Sequence, residues 1–332
     1  MKLVLHNPDG DLLISILGDG RKQLFVQKSN PLLFVARPTI TTAYPDELIE
    51  SIFAIKGPGY VCDEIARDED PRYVAANLAG DLFAYFAPEV FEGKRILDFG
   101  CGCGASTMAL SRLLPSASIV GVELDADLLA IARARAQHYS FPPENLIQSP
   151  SGTELPKGLG TFDFVILSAV FEHLLPVERP VVMTQVWSLL RTGGYLFMNQ
   201  TPHRYAPIET HTTLLPFLNY LPDSLAHFVA CRFSKTVDRD QSWPTLLRRG
   251  IRGGTEYEVM RHLTNSKSGT PILLSPNRGV KDRIDLWRKG SSDLRWPALK
   301  SGAAVVLRGV ERITGLTLVP TLSLAIEKGP TR

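Results

Sequence analysis

One segment of the sequence combines residue types and spacing that suit a nucleotide-like ligand. Asp98 precedes three alternating glycines, Gly100, Gly102 and Gly104, and Glu123 follows 19 residues after the last glycine. Glycines permit a tight turn and let a ligand approach the backbone, and a helix that starts after such a turn offers it free N–H groups. An acid at the end of the next strand can accept hydrogen bonds from ribose hydroxyls. The segment therefore predicts a ligand-binding turn between a strand and a helix.

The glycine spacing separates two ligand classes that share this logic. Dinucleotide sites use the pattern G-x-G-x-x-G, whereas the glycines here occupy every second position from 100 to 104. The carboxylate of Asp98 would repel a pyrophosphate but attract the ammonium group of an amino-acid ligand. We therefore expect S-adenosylmethionine rather than a nicotinamide cofactor, and a Rossmann dehydrogenase is disfavoured. A glycine-rich turn that binds no ligand is the alternative interpretation.

A second polar cluster follows the fifth predicted strand and contains His203, Glu209 and His211. Histidine titrates in the range that suits a general base. We expect His211 to deprotonate an acceptor hydroxyl, with Glu209 orienting it or contacting the hydroxyl, and His173 is the second candidate base. Hydrogen bonds that only stabilise the loop are the alternative for each side chain. The residue types of the cluster also suit a divalent metal, but nothing in their spacing fixes a geometry, so no metal site is predicted.

Composition indicates an ordinary globular protein. Of the 332 residues, 44% are hydrophobic and 21% are charged, and four cysteines are too few for a disulfide scaffold. No uncharged apolar run approaches the ~18 residues of a membrane span, and the N-terminus lacks a long apolar signal region. We therefore expect a cytoplasmic protein without a transmembrane segment.

Charge is unevenly distributed along the chain. Residues 231–332 hold 19 Lys and Arg against 9 Asp and Glu, although the net charge of the whole chain is only +2. The arginines and tryptophans of this basic third, Arg295 and Trp296 among them, could contact an anionic acceptor or partner. Solvated arginines around a tryptophan-anchored cap are the interpretation we favour, because the overall charge is nearly balanced.

Strand and helix signals divide the chain into three regions. Residues 1–60 carry short apolar runs between turn residues and predict an antiparallel β-rich appendage. Residues 61–201 alternate strands with helices, which predicts an α/β, Rossmann-like, doubly wound core. Residues 202–332 predict a helical lid or acceptor region plus the last strands of the sheet. The predicted appendage strands are 12–16, 23–26 and 32–35, and the predicted sheet strands are 96–99, 118–123, 145–148, 162–167, 195–199, 271–274 and 316–327.

Residues 95–200 resemble a class I S-adenosylmethionine-dependent methyltransferase. The segments 95–104, 120–123, 162–174 and 190–196 carry this resemblance. The proline-rich run from 202 to 222 is similar to a segment of bacterial methyltransferases of the UbiG, or type 11, kind. The resemblance implies a seven-stranded sheet whose last strand, within 316–327, runs antiparallel to its neighbours.

The resemblance also implies roles for residues of the glycine turn and the acid that follows it. Gly100, Gly102 and Gly104 would line the methionine and ribose part of S-adenosylmethionine. Asp98 would help to hold the amino group of this cofactor, and Glu123 would accept the ribose hydroxyls. These five residues form the implied binding site for its methionine and ribose groups.

The same resemblance places Ser168, Glu172 and His173 beside the methyl group. The chain departs from the family pattern at the expected adenine contact. Many family members have an acid after the third strand that holds the adenine amino group, whereas this chain has Gln148-Ser149-Pro150-Ser151 there. Ser149 or a backbone group is left to make that contact.

The expected function is methyl transfer from S-adenosylmethionine, with S-adenosylhomocysteine as product. The expected reaction is O-methylation of a small molecule, a glycan or a lipid-linked acceptor. This acceptor could be anionic, because the C-terminal third of the chain is basic. One alternative is an RNA or protein methyltransferase that docks through the basic third. It is disfavoured because the chain lacks an Asn-Pro-Pro-Tyr-type motif and a Pro-Cys nucleophile. A non-catalytic cofactor-binding partner protein is the other alternative, and no oligomeric state is predicted.

Overall fold

The computed structural model describes residues 2–290 and 297–331. Arg295 and Trp296 of the basic third lie outside the described residues. Within this described part of the chain, no helix is both long and apolar enough to cross a membrane.

An antiparallel four-stranded sheet forms the N-terminal region, in the order β1-β2-β3-β4. Its strands are β1 (Lys2–Leu5), β2 (Gly10–Ile16), β3 (Lys22–Lys28) and β4 (Thr39–Thr42). The expected strand at 32–35 is wrong. That segment runs beside the following helix instead, where the Ala36 N–H donates to the Gly59 carbonyl at 2.9 Å. Leu32 is 92% exposed, so its apolar run buries no strand face.

A seven-stranded sheet forms the centre of the molecule, in the order β10-β11-β9-β8-β5-β6-β7. Its strands are β5 (Arg95–Phe99), β6 (Ser118–Glu123), β7 (Leu146–Gln148), β8 (Phe162–Ser168), β9 (Leu190–Pro202), β10 (Pro271–Leu273) and β11 (Thr321–Lys328). β5 to β9 pair in parallel, whereas β11 runs antiparallel to both β9 and β10. The predicted doubly wound sheet and the reversal of its last strand are therefore confirmed.

Helices cover both faces of this sheet. The α-helices of the described residues are α1 (Asp46–Glu69), α2 (Val74–Phe83), α3 (Ala105–Leu113), α4 (Ala126–His138), α5 (Arg179–Leu189), α6 (Asp223–Phe233), α7 (Trp243–Arg248), α8 (Glu256–Asn265), α9 (Arg283–Gly290) and α10 (Pro297–Thr314). Of these, α2 and α3 lie on one face and α5 and α8 on the other. Neighbouring strand residues point to opposite faces, so Ile96 packs with α2 and α3 while Leu97 packs with α5 and α8. This arrangement buries both faces, as a parallel sheet requires.

The N-terminal region packs directly against the glycine turn, residues 100–104, of the central sheet. Leu12 and Leu24 of the small sheet share one buried cluster with α1, with Cys103 of the glycine turn and with Ile131 of α4. The helix α1 is interrupted at Gly57, which has φ of +66° and precedes Pro58. The predicted boundary at residue 60 lies inside this helix, and the division into three regions stays a prediction.

Candidate active site

A cavity of about 850 Å³ opens at the carboxyl ends of the central parallel strands. The last residues of three strands line it, namely Phe99 of β5, Glu123 of β6 and Ser168 of β8. Open α/β sheets bind ligands at this edge. Further parts of the wall come from the second half of α1, the glycine turn, the loop 149–155 and the segments that carry His173, His211 and Arg248.

The glycine turn adopts a backbone that other residues rarely adopt. Gly100, Gly102 and Gly104 have φ of +72°, +55° and +83°. A Cβ on Gly100 would lie 2.8 Å from Val170, and one on Gly104 would lie 3.0 Å from Ala132. A Cβ on Gly102 would meet no atom within 4 Å. The turn therefore packs tightly at both ends and leaves open space at its centre, where a ligand could approach the backbone.

Glu123 holds the centre of this turn. One carboxylate oxygen, Oε2, accepts the Gly102 N–H at 2.7 Å, and Oε1 accepts the N–H groups of Leu124 and Asp125 at 2.7 and 3.0 Å. The carboxylate is thus fixed at the end of β6 and lines the cavity. Its position suits an acceptor for ribose hydroxyls.

Asp98 lies beneath the glycine turn and is 1% exposed. Its Oδ2 accepts the hydroxyls of Ser106 and Thr107 at 2.7 and 2.6 Å. Its Oδ1 is buried without a hydrogen-bond partner among the described residues. An orphaned carboxylate oxygen beside the turn fits a ligand that brings a donor or a positive charge. Burial raises the pKa of Asp98 to about 6.

We predict that S-adenosylhomocysteine binding weakens as pH falls below about 6. Only the ionised form of Asp98 attracts an ammonium group, and with a folded-state pKa of about 6 this form is lost progressively on acidification. The limiting slope is about tenfold in affinity per pH unit. Titration calorimetry between pH 5 and 8 measures it. Asp98→Asn should bind more weakly and show a flat profile, and a wild-type affinity that does not change over this range would contradict the prediction.

Two serines predicted to contact the cofactor both lie on the cavity wall. Ser149 donates its hydroxyl to the Glu154 carbonyl at 2.7 Å, and its N–H donates to the Glu123 carbonyl at 2.7 Å. These bonds fold the loop 149–155 against the end of β6, and they place Ser149 on the wall at the position where many relatives have an acid. Ser168 ends β8 and faces the same cavity.

Glu172, His173 and His211 come together at one side of the cavity. The Nε2 atom of His173 lies 3.9 Å from Oε1 of Glu172, and the rings of His173 and His211 have centroids 5.2 Å apart. Glu172 is fully buried, and its Oε2 accepts the Thr201 hydroxyl at 2.8 Å. Burial raises the pKa of Glu172. We call these three residues the histidine cluster.

The surroundings of the two imidazoles fix the tautomer of neutral His173 and the basicity of His211. The Nδ1 atom of His173 lies 2.7 Å from the Arg248 carbonyl, which can only accept, so Nδ1 carries the hydrogen and Nε2 has a free lone pair. The His211 side chain lines the cavity, but protein atoms surround much of its ring. Burial, together with His173, Arg249 and Arg67, lowers the pKa of His211 to about 4. His211 is therefore neutral at pH 7 and a weak base.

Glu209 and His203 lie away from the cavity walls. The buried carboxylate of Glu209 accepts the N–H groups of His211, Thr212 and Thr213 at 2.6 to 3.1 Å, and also the Thr213 hydroxyl. It holds the backbone of His211 rather than its ring. His203 is buried, and its Nδ1 accepts the Tyr205 N–H at 3.1 Å. Burial lowers the pKa of His203 to about 4. We therefore assign Glu209 a positioning role, in place of the expected contact with the imidazole or an acceptor.

We predict that Glu209→Gln loosens the loop that carries His211. The amide replaces one accepting oxygen with a donor that faces backbone donors, which costs about 1–3 kcal/mol. Melting curves and hydrogen exchange of residues 209–213 measure the change, and methyl transfer should fall while S-adenosylhomocysteine binding is unchanged. Thr210→Ala, at the exposed neighbouring position, is the matched control. Unaltered exchange in Glu209→Gln would refute the positioning role.

Several site residues escaped the sequence analysis. Tyr60, Glu64 and Arg67 of α1 line the cavity, although no motif in their segment predicts a site. Gly250, with φ of +87°, lies so close to the histidine cluster that a Cβ would be 2.6 Å from His211 and 3.0 Å from Glu172. The sequence offers one signal for this position, the glycine itself, because glycine readily adopts a positive φ.

A family model described as a methyltransferase domain matches residues 96–194. This segment contains the glycine turn, Glu123 and two members of the histidine cluster, so the match coincides with the cavity. Residues 96–194 therefore match a methyltransferase domain, which agrees with the resemblance to class I S-adenosylmethionine-dependent methyltransferases. The residues outside this match include His211, Arg248 and Arg249.

Curated relatives resemble this methyltransferase domain at moderate identity. A ubiquinone biosynthesis O-methyltransferase of Rhizobium etli is 32% identical over 34% of this chain and 43% of its own length. A fatty-acid O-methyltransferase of Mycolicibacterium smegmatis is 32% identical over 52% of this chain and 65% of its own length. The chain spans about half the length of the curated relatives it matches. A solved structure of the plantazolicin methyltransferase BamL covers 85% of this chain at 13% identity, with a TM-score of 0.46.

Proposed function

We propose that this chain is an S-adenosylmethionine-dependent O-methyltransferase. The observation that carries the proposal is that one cavity is lined by the glycine turn, by Glu123 and by the two histidines of the histidine cluster. The first set suits the cofactor and the second suits a hydroxyl acceptor. The expected cytoplasmic location remains part of the proposal.

The cofactor, when bound, supplies an electrophilic methyl group on a sulfonium. The protein's own task is to align the acceptor oxygen with that methyl group, which alone can contribute ~7–11 kcal/mol. A hydroxyl must also lose its proton, and assistance with this step is worth roughly 100- to 10,000-fold. Nε2 of His173 has the free lone pair for this task, whereas the lowered pKa of His211 makes it the weaker acceptor.

The acceptor we propose is a small molecule, a glycan or a lipid-linked compound. The names of the relatives, which refer to ubiquinone biosynthesis and to fatty acids, support a small or lipid-like acceptor. The arginines of the basic third that line the cavity are engaged by protein groups. Arg248 forms an ion pair with Glu178, and Arg249 donates to the Gln241 side chain at 2.7 Å and to the Thr236 carbonyl at 2.9 Å. These contacts favour a wall of the cavity over a docking surface for RNA.

Transfer of labelled methyl groups into a fractionated cell extract tests the proposal. The fractions are small molecules, lipids, glycans, nucleic acids and proteins, and the wild type is compared with Asp98→Asn. Label in one of the first three fractions that falls in the variant would support the proposal. Label in RNA or protein would replace it with the docking alternative. Cofactor binding without label in any fraction would favour a non-catalytic partner protein.

A further inference from the structure

Three potential metal ligands lie close together in the histidine cluster, although no sequence motif predicts a metal site there. One oxygen of Glu172 and one ring nitrogen each of His173 and His211 lie within 4.8 Å of one another. Ligand atoms around a tetrahedral Zn²⁺ are about 3.4 Å apart. Side-chain rotations that shift each atom by about 1 Å would therefore close the group around one ion. Gly250 permits this approach, because it places no side chain between His211 and Glu172.

Each of the three groups presents a lone pair that the protein leaves unused. Oε1 of Glu172 is buried and has no hydrogen-bond partner among the described residues, while Oε2 is held by Thr201. His173 donates Nδ1–H to a backbone carbonyl, which is the contact that typically orients a metal-bound imidazole and leaves Nε2 as the ligand. The ring of His211 lines the cavity, and one of its nitrogens is within reach of both other groups. A buried oxygen without a partner calls for an ion or a donor at this position.

Charges around the cluster are compatible with a cation. The positive side chains that line the cavity are Lys56, Arg67, Arg248 and Arg249, and the negative ones are Asp63, Glu64, Glu123, Asp125 and Glu154. Arg248 is neutralised by Glu178, and the Arg249 guanidinium is bound to Gln241 and to the Thr236 carbonyl. The cluster itself offers a cation one carboxylate, that of Glu172.

We propose that Glu172, His173 and His211 bind a divalent transition-metal ion of the Zn²⁺ class. Two imidazoles and one carboxylate are a common ligand set for such ions, and three protein ligands leave a coordination position open to the cavity. This inference rests on the proposed function for its purpose, since the open position is where an acceptor oxygen would bind. It replaces His173 as the base, because Nε2 becomes a ligand; the ion would instead lower the pKa of the bound hydroxyl, which would lose its proton to solvent.

Direct metal binding tests this inference without an activity assay. Full-length protein is freed of metal with a chelator and titrated with Zn²⁺ against a chromogenic chelator, and with Co²⁺ while its visible absorption is recorded. We expect one submicromolar Zn²⁺ per chain and a Co²⁺ spectrum typical of nitrogen and oxygen ligands. His211→Ala and His173→Ala should each weaken Zn²⁺ binding by about 100-fold or more, and so should Glu172→Gln if it folds.

His6→Ala is the control, because His6 lies in the turn after β1, outside the cavity lining, and is largely exposed. S-adenosylhomocysteine binding by His211→Ala confirms that the variant is folded. Absence of Zn²⁺ binding in the wild type, or equal binding by wild type and His211→Ala, would overturn the inference. A wild type that methylates its acceptor without binding Zn²⁺ overturns the metal site alone. Zn²⁺ binding that depends on the cluster, with no methyl transfer to any fraction, supports the metal site and counts against the proposed function.

Discussion

Glu123→Ala should weaken the binding of S-adenosylmethionine and S-adenosylhomocysteine by about 100-fold or more. Two hydrogen bonds from ribose hydroxyls to a carboxylate are worth about 1.5–3 kcal/mol each, and 1.4 kcal/mol corresponds to a factor of ten. The substitution also removes the acceptor for the Gly102 N–H, so the glycine turn loses its central contact. Titration calorimetry with S-adenosylhomocysteine measures the loss directly.

Two further variants separate the effect of the Glu123 carboxylate charge from the effect of its side-chain size. Glu123→Gln keeps the size and one accepting oxygen, so its affinity should fall between those of the wild type and Glu123→Ala. Glu154→Ala is the matched control, because Glu154 also lines the cavity but contributes its backbone carbonyl to the hydrogen bond with Ser149. Affinity of Glu123→Ala within about threefold of the wild type, which is under 1 kcal/mol, would remove Glu123 from the proposed cofactor site.

Arg135→Leu should destabilise the protein by about 3–5 kcal/mol, the typical cost of removing one partner of a buried ion pair. Arg135 is fully buried in α4 and donates to the Tyr44 hydroxyl at 2.8 Å, to the Glu64 carboxylate at 3.3 Å and to the Cys103 carbonyl at 2.6 Å. Asp68, which also accepts the Tyr44 hydroxyl, lies 3.7 Å from the guanidinium. The substitution leaves two acids of α1 without their buried cation.

Thermal and urea unfolding measure this effect, which corresponds to roughly 4–7 °C in Tm for a chain of 332 residues. Cofactor binding should also weaken, because the Cys103 carbonyl belongs to the glycine turn. Arg133→Leu is the matched control, since Arg133 lies two residues away on α4, is exposed, and donates to the Leu146 carbonyl. A loss in Arg135→Leu no larger than in Arg133→Leu would show that this network contributes little.

The doubly wound sheet was predictable because its signals are local. Alternation of short apolar strands with helices over residues 95–200 indicated a parallel sheet, and the predicted strand 118–123 has the bounds of β6. The glycine turn was recognisable for the same reason, since its glycines and Asp98 are adjacent in the chain. The predicted strand at 32–35 failed because apolar composition alone does not show whether a run finds a pairing partner.

The sequence by itself determined the class of the fold, the position of the glycine turn and the acid that faces it. Only the tertiary structure decided which loops meet at the open edge of the sheet. Glu209 and His211 are neighbours in the chain, yet one holds the backbone and the other reaches the cavity. His211 lies beside Glu172 and His173, nearly forty positions earlier. Periodicity reports which face of an element is buried, whereas contacts between loops depend on chain paths that no local pattern encodes.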